Sequence, residues 1–410
     1  MAEILVLGAG MVGVSTALAL QARGHAVQLL DRGAPGRETS FGNAGVIQTE
    51  AAEPYAMPRD PRVILAMMTG RSNDLTWSLR GLAGMAPALW SYFRNSAPTR
   101  HAALSQTYAR LTSRAAQDHQ PLIEAAGCDN LIARDGMAQI YRDPRAFERD
   151  ATDAERIAAR YGPRFCTFDG ASYRREDPAL QAEPAGVLLW SDTWSCSSPG
   201  GLVAAYAALF ERRGGRILGG DAESLAQDGS GWTVATADGP LAAQHVVIAL
   251  GPWAPRLLRR FDYRIPMVLK RGYHGHFQTN QTPRRPIVDM DNGVVASPMQ
   301  TGLRIATGAA LVAHDAPADL RQLERGRRAL GDMLQIGPRI TEPQWSGTRP
   351  CMPDMLPMVG AAPRHPGMWF HFGHGHQGFT LGPTTAEVLA TSLEDGEDEL
   401  TRALSPARRI

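Results

Sequence analysis

The 410-residue chain has no excess of charge of either sign: 42 Lys and Arg stand against 41 Asp and Glu, for a net charge of +1. A nucleic-acid-binding surface needs a basic excess, and there is none here. Cysteine is scarce. Cys128, Cys166, Cys196 and Cys351 form no C-x-x-C pair, which argues against a disulfide framework or a zinc site and fits a reducing compartment. No run of 18 apolar residues exists, so nothing in the sequence spans a bilayer. The chain opens on a strand-like run rather than a leader, and the expected location is cytoplasmic. Neither an internal repeat nor a low-complexity linker is present. The Arg-rich end, Arg402 to Arg409, reads as solvated. What remains is a soluble chain of ordinary composition, long enough for two domains.

What the sequence does have begins at residue 4. The apolar run Ile4–Leu7 ends on Gly8-Ala9-Gly10-Met11-Val12-Gly13, a G-x-G-x-x-G pattern between a predicted strand and a helix. Gly8 permits the tight turn. Gly10 lets backbone N–H groups approach a pyrophosphate, and Gly13 lets the helix pack on the sheet. The helix dipole then favours the phosphates. A second strand, Ala26 to Leu30, ends on Asp31, whose carboxylate suits the hydroxyls of an adenosine ribose. These residues predict a dinucleotide fold without separating NAD from FAD.

Further on, Glu38 to Ile47 stays extended and glycine-rich, as a chain does when it runs along a long ligand. Residues 99 to 160 read mainly as helix. Ala242 to Leu250 reads as a buried central strand, followed by Gly251-Pro252-Trp253. Residues 263 to 310 alternate like antiparallel strands, and 320 to 334 is helical. Met368 to Phe372 is a strand, Gly373 to Gly378 a loop, and a helix begins at Thr384. Val63 to Met68 and Trp77 to Phe93 are rich in Met, Leu, Trp and Tyr. They predict helices over a pocket, or a surface helix resting on a membrane.

Four stretches carry a resemblance: GAGMVGVSTALAL with Asp31; TSFGNAG at 39–45; VVIALGPWAP at 246–255; and GTRPCMPDMLPMVG with GHGHQGFTLGP near the end. In this order they resemble the FAD-dependent D-amino-acid dehydrogenase and glycine oxidase group, of the D-amino-acid-oxidase-like fold. The resemblance implies an α/β plus α+β architecture, a Rossmann-like FAD-binding domain with an inserted substrate domain on an antiparallel sheet. The expected boundaries are 1–90, 190–260 and 340–410 for the FAD-binding part and 91–189 with 261–339 for the substrate part. Non-covalent FAD is implied, because the position of a flavin-linking Cys in some relatives falls near Gly347. Gly8, Gly10, Met11, Val12 and Gly13 would hold the pyrophosphate, and Asp31, Arg32 and Ala222 the adenosine. Ser40, Gly42, Asn43, Ala44, Gly45 and Val46 would run along the flavin, with Gly251 and Trp253 nearby. Gly373, His374, Gly375, Gln377, Gly378, Phe379 and Thr380 would reach its ring.

The resemblance also implies the chemistry: oxidation of a small amino acid, a D-amino acid in this group, by hydride transfer from Cα to flavin N5. The Arg of G-x-R-P, here Arg349, would bind the substrate carboxylate through a planar, two-bond fork. Tyr273 is a candidate pocket residue, and His274 a candidate acceptor of the ammonium proton. Strand alternation puts Lys270, His274 and His276 on one face and Arg271, Tyr273 and Phe277 on the other. The expected electron acceptor is a quinone or another redox carrier. His371, His374 and His376 lack the further ligand that a metal set needs. Departures from the group's pattern, Cys351-Met352 and the histidine-rich 270–277 run, leave the amino acid open. Glycine or sarcosine oxidation and D-proline or hydroxyproline dehydrogenation are alternatives. So, in other classes, are an NAD-dependent dehydrogenase and a non-catalytic dinucleotide-binding protein.

Overall fold

The computed structural model describes residues 1–70, 73–313 and 315–409. Its six-stranded sheet has the order 216–219, 26–31, 3–7, 245–248, 368–372, 358–361. The first five strands pair in parallel and the last is antiparallel. Parallel strands are covered on both faces, which is why Ile4–Leu7 and Val246–Ile248 are apolar throughout and buried. On one face lie the helices Met11–Ala22, Ala115–Ala126, Pro199–Arg212 and Gly378–Glu394, sharing one apolar core. On the other, residues 225–267 and 352–372 form a second core.

Tight backbone approaches position the first and last helices. A Cβ on Gly13 would stand 1.7 Å from the Gly8 carbonyl oxygen, and one on Gly382 would meet Met11 Cγ at 2.7 Å. The last helix starts at Gly378, not at Thr384 as the sequence suggests, and carries Pro383 inside it. That proline removes the N–H that would bond the Phe379 carbonyl. His119 fills the gap: its Nε2 lies 3.1 Å from that carbonyl, while its Nδ1 lies 2.9 Å from the Tyr206 hydroxyl. Burial holds the ring neutral, with its pKa pushed down to about 4.

The second sheet has ten strands and is chiefly antiparallel. Its long member, Val268–Phe277, pairs with Ser346–Cys351 on one side and with Gly302–Thr307 and Ala309–Leu311 on the other. The lobe boundaries therefore differ from those expected. Ser346–Cys351 belongs to the large sheet, and so does Leu75–Trp77 through Ala309–Leu311. Conversely, Tyr108, Leu111, Ala115 and Ile123 pack into the core beside the six-stranded sheet. Helices are amphipathic on whichever lobe they cover, so their pattern does not name the lobe.

Candidate active site

The two lobes enclose a cavity of about 1100 Å³. It runs from Asp31, Arg32 and Ala222 past Gly8, Gly10, Met11 and Val12, along Ser40, Gly42, Asn43, Ala44 and Val46, to Gly373, His374, Gly375, Gly378 and Phe379. Gly251, Trp253, Tyr273 and Arg349 also lie on its wall. Segments more than 300 residues apart thus meet at one space.

Each part of the wall has a physical cause. Gly8 has φ +108°, and a Cβ there would meet the Ala249 carbonyl at 2.6 Å. Gly10 is ordinary extended backbone, with φ −76° and ψ −178°. A Cβ on it would meet only Ser40 Oγ, at 3.4 Å, so its remaining face is open to the cavity. The N-cap residue Gly10 has no side chain to cap the helix that follows, so apart from the Met11 N–H taken by Ser40 its N-terminus is left for a ligand. The Asp31 carboxylate accepts from the N–H groups of Ala9, at 2.6 Å, and Gly33, at 3.0 Å, and keeps free lone pairs. Arg32 lies over the Trp253 ring, 4.7 Å from its centre. The 39–45 loop is held by Ser40 Oγ, which accepts from Met11 N–H at 3.0 Å. It is also held by Arg304, which donates to the carbonyls of Phe41 and Asn43 at 3.0 and 2.6 Å. Open amides, an acidic adenosine end and a glycine-lined middle fit a long dinucleotide.

At the other end Arg349 sits directly across the strand pair from Lys270. Its guanidinium donates to the carbonyls of Gly308, at 2.8 Å, and Thr307, at 3.1 Å, and no carboxylate pairs with it among the described residues. Burial pulls its pKa below the ordinary arginine value. Lys270 lies 4.5 Å from the centre of the Tyr92 ring and donates to its hydroxyl at 3.1 Å. Tyr92 in turn donates to the Tyr55 carbonyl. His376 packs on the Tyr55 ring at 5.1 Å, and burial beside Arg349 and Lys270 holds its pKa well down.

Five expected site residues stand off the cavity wall. Gly13 is pressed on Gly8, as described above. Gly45, with φ +72°, is pressed on strand 194–196, where a Cβ would lie 2.3 Å from the Cys196 carbonyl. Gln377 and Thr380 stand behind the wall: Gln377 Nε2 donates to the Gln48 side chain at 2.8 Å, and Thr380 Oγ1 accepts from Gln48 N–H at 3.2 Å. His274 is the fifth. It stacks on Trp345 with ring centres 4.7 Å apart, and neither ring nitrogen has a hydrogen-bond partner among the described residues. Burial and the charge of Arg304 hold its pKa down to about 2, so it cannot take up a proton near neutrality. Its neighbour His276 is saturated, with Nδ1 at 2.8 Å from Glu342 and Nε2 accepting from Arg304 at 3.0 Å. Although His274, His276 and Glu342 could together face a cation, Arg304 already supplies the positive charge. The expected alternation also breaks, because Lys270, Gly272 and Tyr273 all reach the cavity.

Residues that motif spacing does not mark are Tyr55, Tyr92, Glu50, Arg304 and Lys270. One signal singles out the last: Lys270 is the chain's single lysine, every other basic side chain except histidine being arginine.

The family model described as FAD dependent oxidoreductase (DAO) matches residues 3–392. The chain belongs to this family. FAD is therefore the cofactor of this oxidoreductase, and the nicotinamide alternative falls. The chain is 28% identical over 427 residues to a D-amino-acid oxidase of Bradyrhizobium diazoefficiens, covering 99% of this chain and 98% of that one. It is 28% identical over 404 residues to a D-amino acid dehydrogenase of Chromohalobacter salexigens, covering 95% of this chain and 94% of the other. Among solved structures it is similar to glycine oxidase from Geobacillus kaustophilus, with a TM-score of 0.73, 21% identity and complete coverage of both chains. At that identity the likeness concerns the fold.

Proposed function

We propose that this FAD dependent oxidoreductase oxidises the Cα–N bond of a small D-amino acid and passes the electrons to a quinone-type carrier rather than to oxygen. The observation that carries the reading is Arg349, an always-charged fork set in the cavity wall whose hydrogen bonds, among the described residues, go only to carbonyls. A carboxylate entering a largely apolar site gives up its hydration, and such a guanidinium offsets the loss. FAD, held by the residues of the glycine loops, Asp31 and the 39–46 segment, supplies the hydride acceptor. The chain supplies orientation and a site shielded from water. With the carboxylate anchored on Arg349, the substrate is fixed at one end. Tyr273, Thr307 and Gly308 border that end, and Tyr55 and Lys270 flank it.

A second observation supports the proposed acceptor and a membrane seat. Val63, Leu65, Met68, Leu79 and Trp90 are exposed apolar residues on the two helices Pro61–Met68 and Leu79–Asn95. The adjoining Ile64, Met67 and Leu82 line the cavity. Between Asp74 and Asp118 the sequence has no acidic residue and five arginines. An apolar face on a stretch that carries arginine and no acid suits the surface of an anionic bilayer. No helix among the described residues is long and apolar enough to cross one. Anaerobic mixing with a panel of D- and L-amino acids, glycine, sarcosine and D-proline tests the substrate by loss of flavin absorbance. A panel in which only sarcosine or glycine bleaches the flavin replaces the D-amino-acid reading. Turnover that is fast with a quinone dye and slow with oxygen tests the acceptor. Co-sedimentation with vesicles rich in phosphatidylglycerol, lost in Leu65→Glu/Leu79→Glu, tests the membrane seat.

A further inference from the structure

An amino acid arrives with its amine protonated, and the electron pair on nitrogen is free only after that proton leaves. His274 is outside the cavity, so the acceptor lies elsewhere. We propose that it is Glu50, a reading that rests on the amino-acid function above. Glu50 lines the cavity, is 6% exposed, and has no cationic side chain paired with it among the described residues. Glu38, Glu53 and Asp289 on the wall are ion-paired, with Arg32, Arg156 and Arg142, while Asp31 and Asp221 lie at the adenosine end and accept from backbone N–H groups.

Its setting is built. Gln48 Nε2 donates to Glu50 Oε1 at 2.7 Å, and the Thr193 hydroxyl donates to Oε2. Gln48 is itself fixed, because its side-chain oxygen accepts from Gln377 and its N–H bonds Thr380 Oγ1. Gln377 and Thr380, the two residues that stand behind the wall, thus orient this carboxyl. Each oxygen keeps a lone pair for an ammonium N–H. The titratable groups in electrostatic reach are the phenols of Tyr55 and Tyr108, both pushed to higher pKa chiefly by burial, to which the Glu50 charge adds. Arg349 also acts on Tyr55, and Arg349 and Lys270 both act on His376. Tyr55 thus feels both the group that would hold the carboxylate and the group that would take the proton, and all three line one cavity. Burial raises the Glu50 pKa while the bonds from Thr193 and Gln48 oppose the rise, which moves a carboxylate toward the range of a useful base.

In the step itself an N–H bond of the substrate ammonium breaks and an O–H bond forms on Glu50. A cation and a carboxylate become a neutral amine and a neutral carboxyl. No electrons move, and hydride leaves Cα only afterwards.

The test is Glu50→Gln, which keeps size and hydrogen bonding but cannot accept a proton. Anaerobic flavin reduction by D-alanine and by D-methionine is followed from pH 6 to 10.5 in the FAD-bound protein. General base catalysis is worth about 100-fold or more, so the variant should be slower by about that factor at pH 7. The gap should close to within a few-fold near pH 10, where the free amine is supplied by solution. Propionate, which has the carboxylate and no amine, should perturb the oxidised flavin spectrum with an affinity within about twofold of the parent. An equal loss at every pH, or an unchanged profile, overturns the proposal, and so does a large loss of propionate affinity, because Glu50 is then structural. If no amino acid bleaches the parent's flavin, the premise itself fails and the proposal goes with it.

Discussion

Two alanine substitutions three residues apart should fail in opposite ways. In Gly13→Ala the new methyl is placed 1.7 Å from the Gly8 carbonyl oxygen and 2.9 Å from its carbon. Non-bonded carbon and oxygen come no closer than about 3.3 Å, so helix and strand must separate by roughly 1.5 Å. Both partners are backbone, and no rotamer relieves the clash. Overpacking costs about 1–3 kcal/mol where side chains can shift, so this change belongs at or above the top of that range, about 3 kcal/mol. That is a large fraction of the 5–15 kcal/mol typical of a native fold. In Gly10→Ala the backbone is already extended and the methyl meets only Ser40 Oγ at 3.4 Å. The apoprotein should lose about 1 kcal/mol or less, from poorer capping. The methyl instead occupies the approach to the pyrophosphate. A cost there of about 1–3 kcal/mol weakens FAD by roughly 5- to 150-fold. Urea unfolding of both apoproteins, with FAD titrations followed by quenching of flavin fluorescence, separates the effects. Equal destabilisation by the two changes, with FAD affinity intact in Gly10→Ala, would refute the assignment of the loop.

Other outcomes follow from the same wall. Arg349→Ala should lower kcat/KM about 30- to 3,000-fold, since removing one member of a buried charged pair costs about 2–5 kcal/mol. Arg349→Lys should recover only part, and the flavin spectrum should hardly change. His274→Phe keeps the stack on Trp345 and should leave kcat/KM within about threefold. Because the folded pKa of His274 is depressed to about 2, the unfolded chain binds the extra proton as pH falls below the ordinary histidine value. That ring destabilises the fold progressively in acid, so His274→Phe should retain more of its stability at pH 5 than the parent does, measured by urea midpoints. Acid precipitation should leave the yellow colour in the supernatant, because Gly347 offers no thiol to the flavin; colour in the pellet would show a covalent link.

The dinucleotide lobe was legible because its signals are local. Gly8, Gly10, Gly13 and Asp31 lie within one strand–helix–strand unit, and each does its work through backbone geometry or a single carboxylate. The place of Arg349 on the cavity wall was legible through its neighbours Gly347 and Pro350. The residues behind the wall were not. Gly45, Gln377 and Thr380 sit in the right motifs, but whether a backbone faces a ligand or a neighbouring strand depends on partners such as Cys196 and Gln48, hundreds of residues away. His274 was misplaced because the strand it belongs to changes partners, pairing with 346–351 up to Tyr273 and with 303–306 beyond. Period-two alternation assumes one sheet face along the whole strand. Glu50 gave no motif signal, since its role rests on Thr193, which joins it only through the fold.

The single lysine has a practical consequence. Apart from the terminus, the only primary amine this protein offers to acylating or aldehyde reagents is Lys270, which lines the cavity against Tyr92. Its outer surface, with arginine in every other cationic position, is inert to such chemistry. Bulky succinimidyl dyes, cross-linkers and amine-coupled supports should find nothing to grip beyond the first residue. A small reagent that slips inside would instead count active sites one for one, and an amino acid or carboxylate bound there should shield it. Lysine carrying ¹³C at Cε would give one resonance from 410 residues, reporting on that chamber alone.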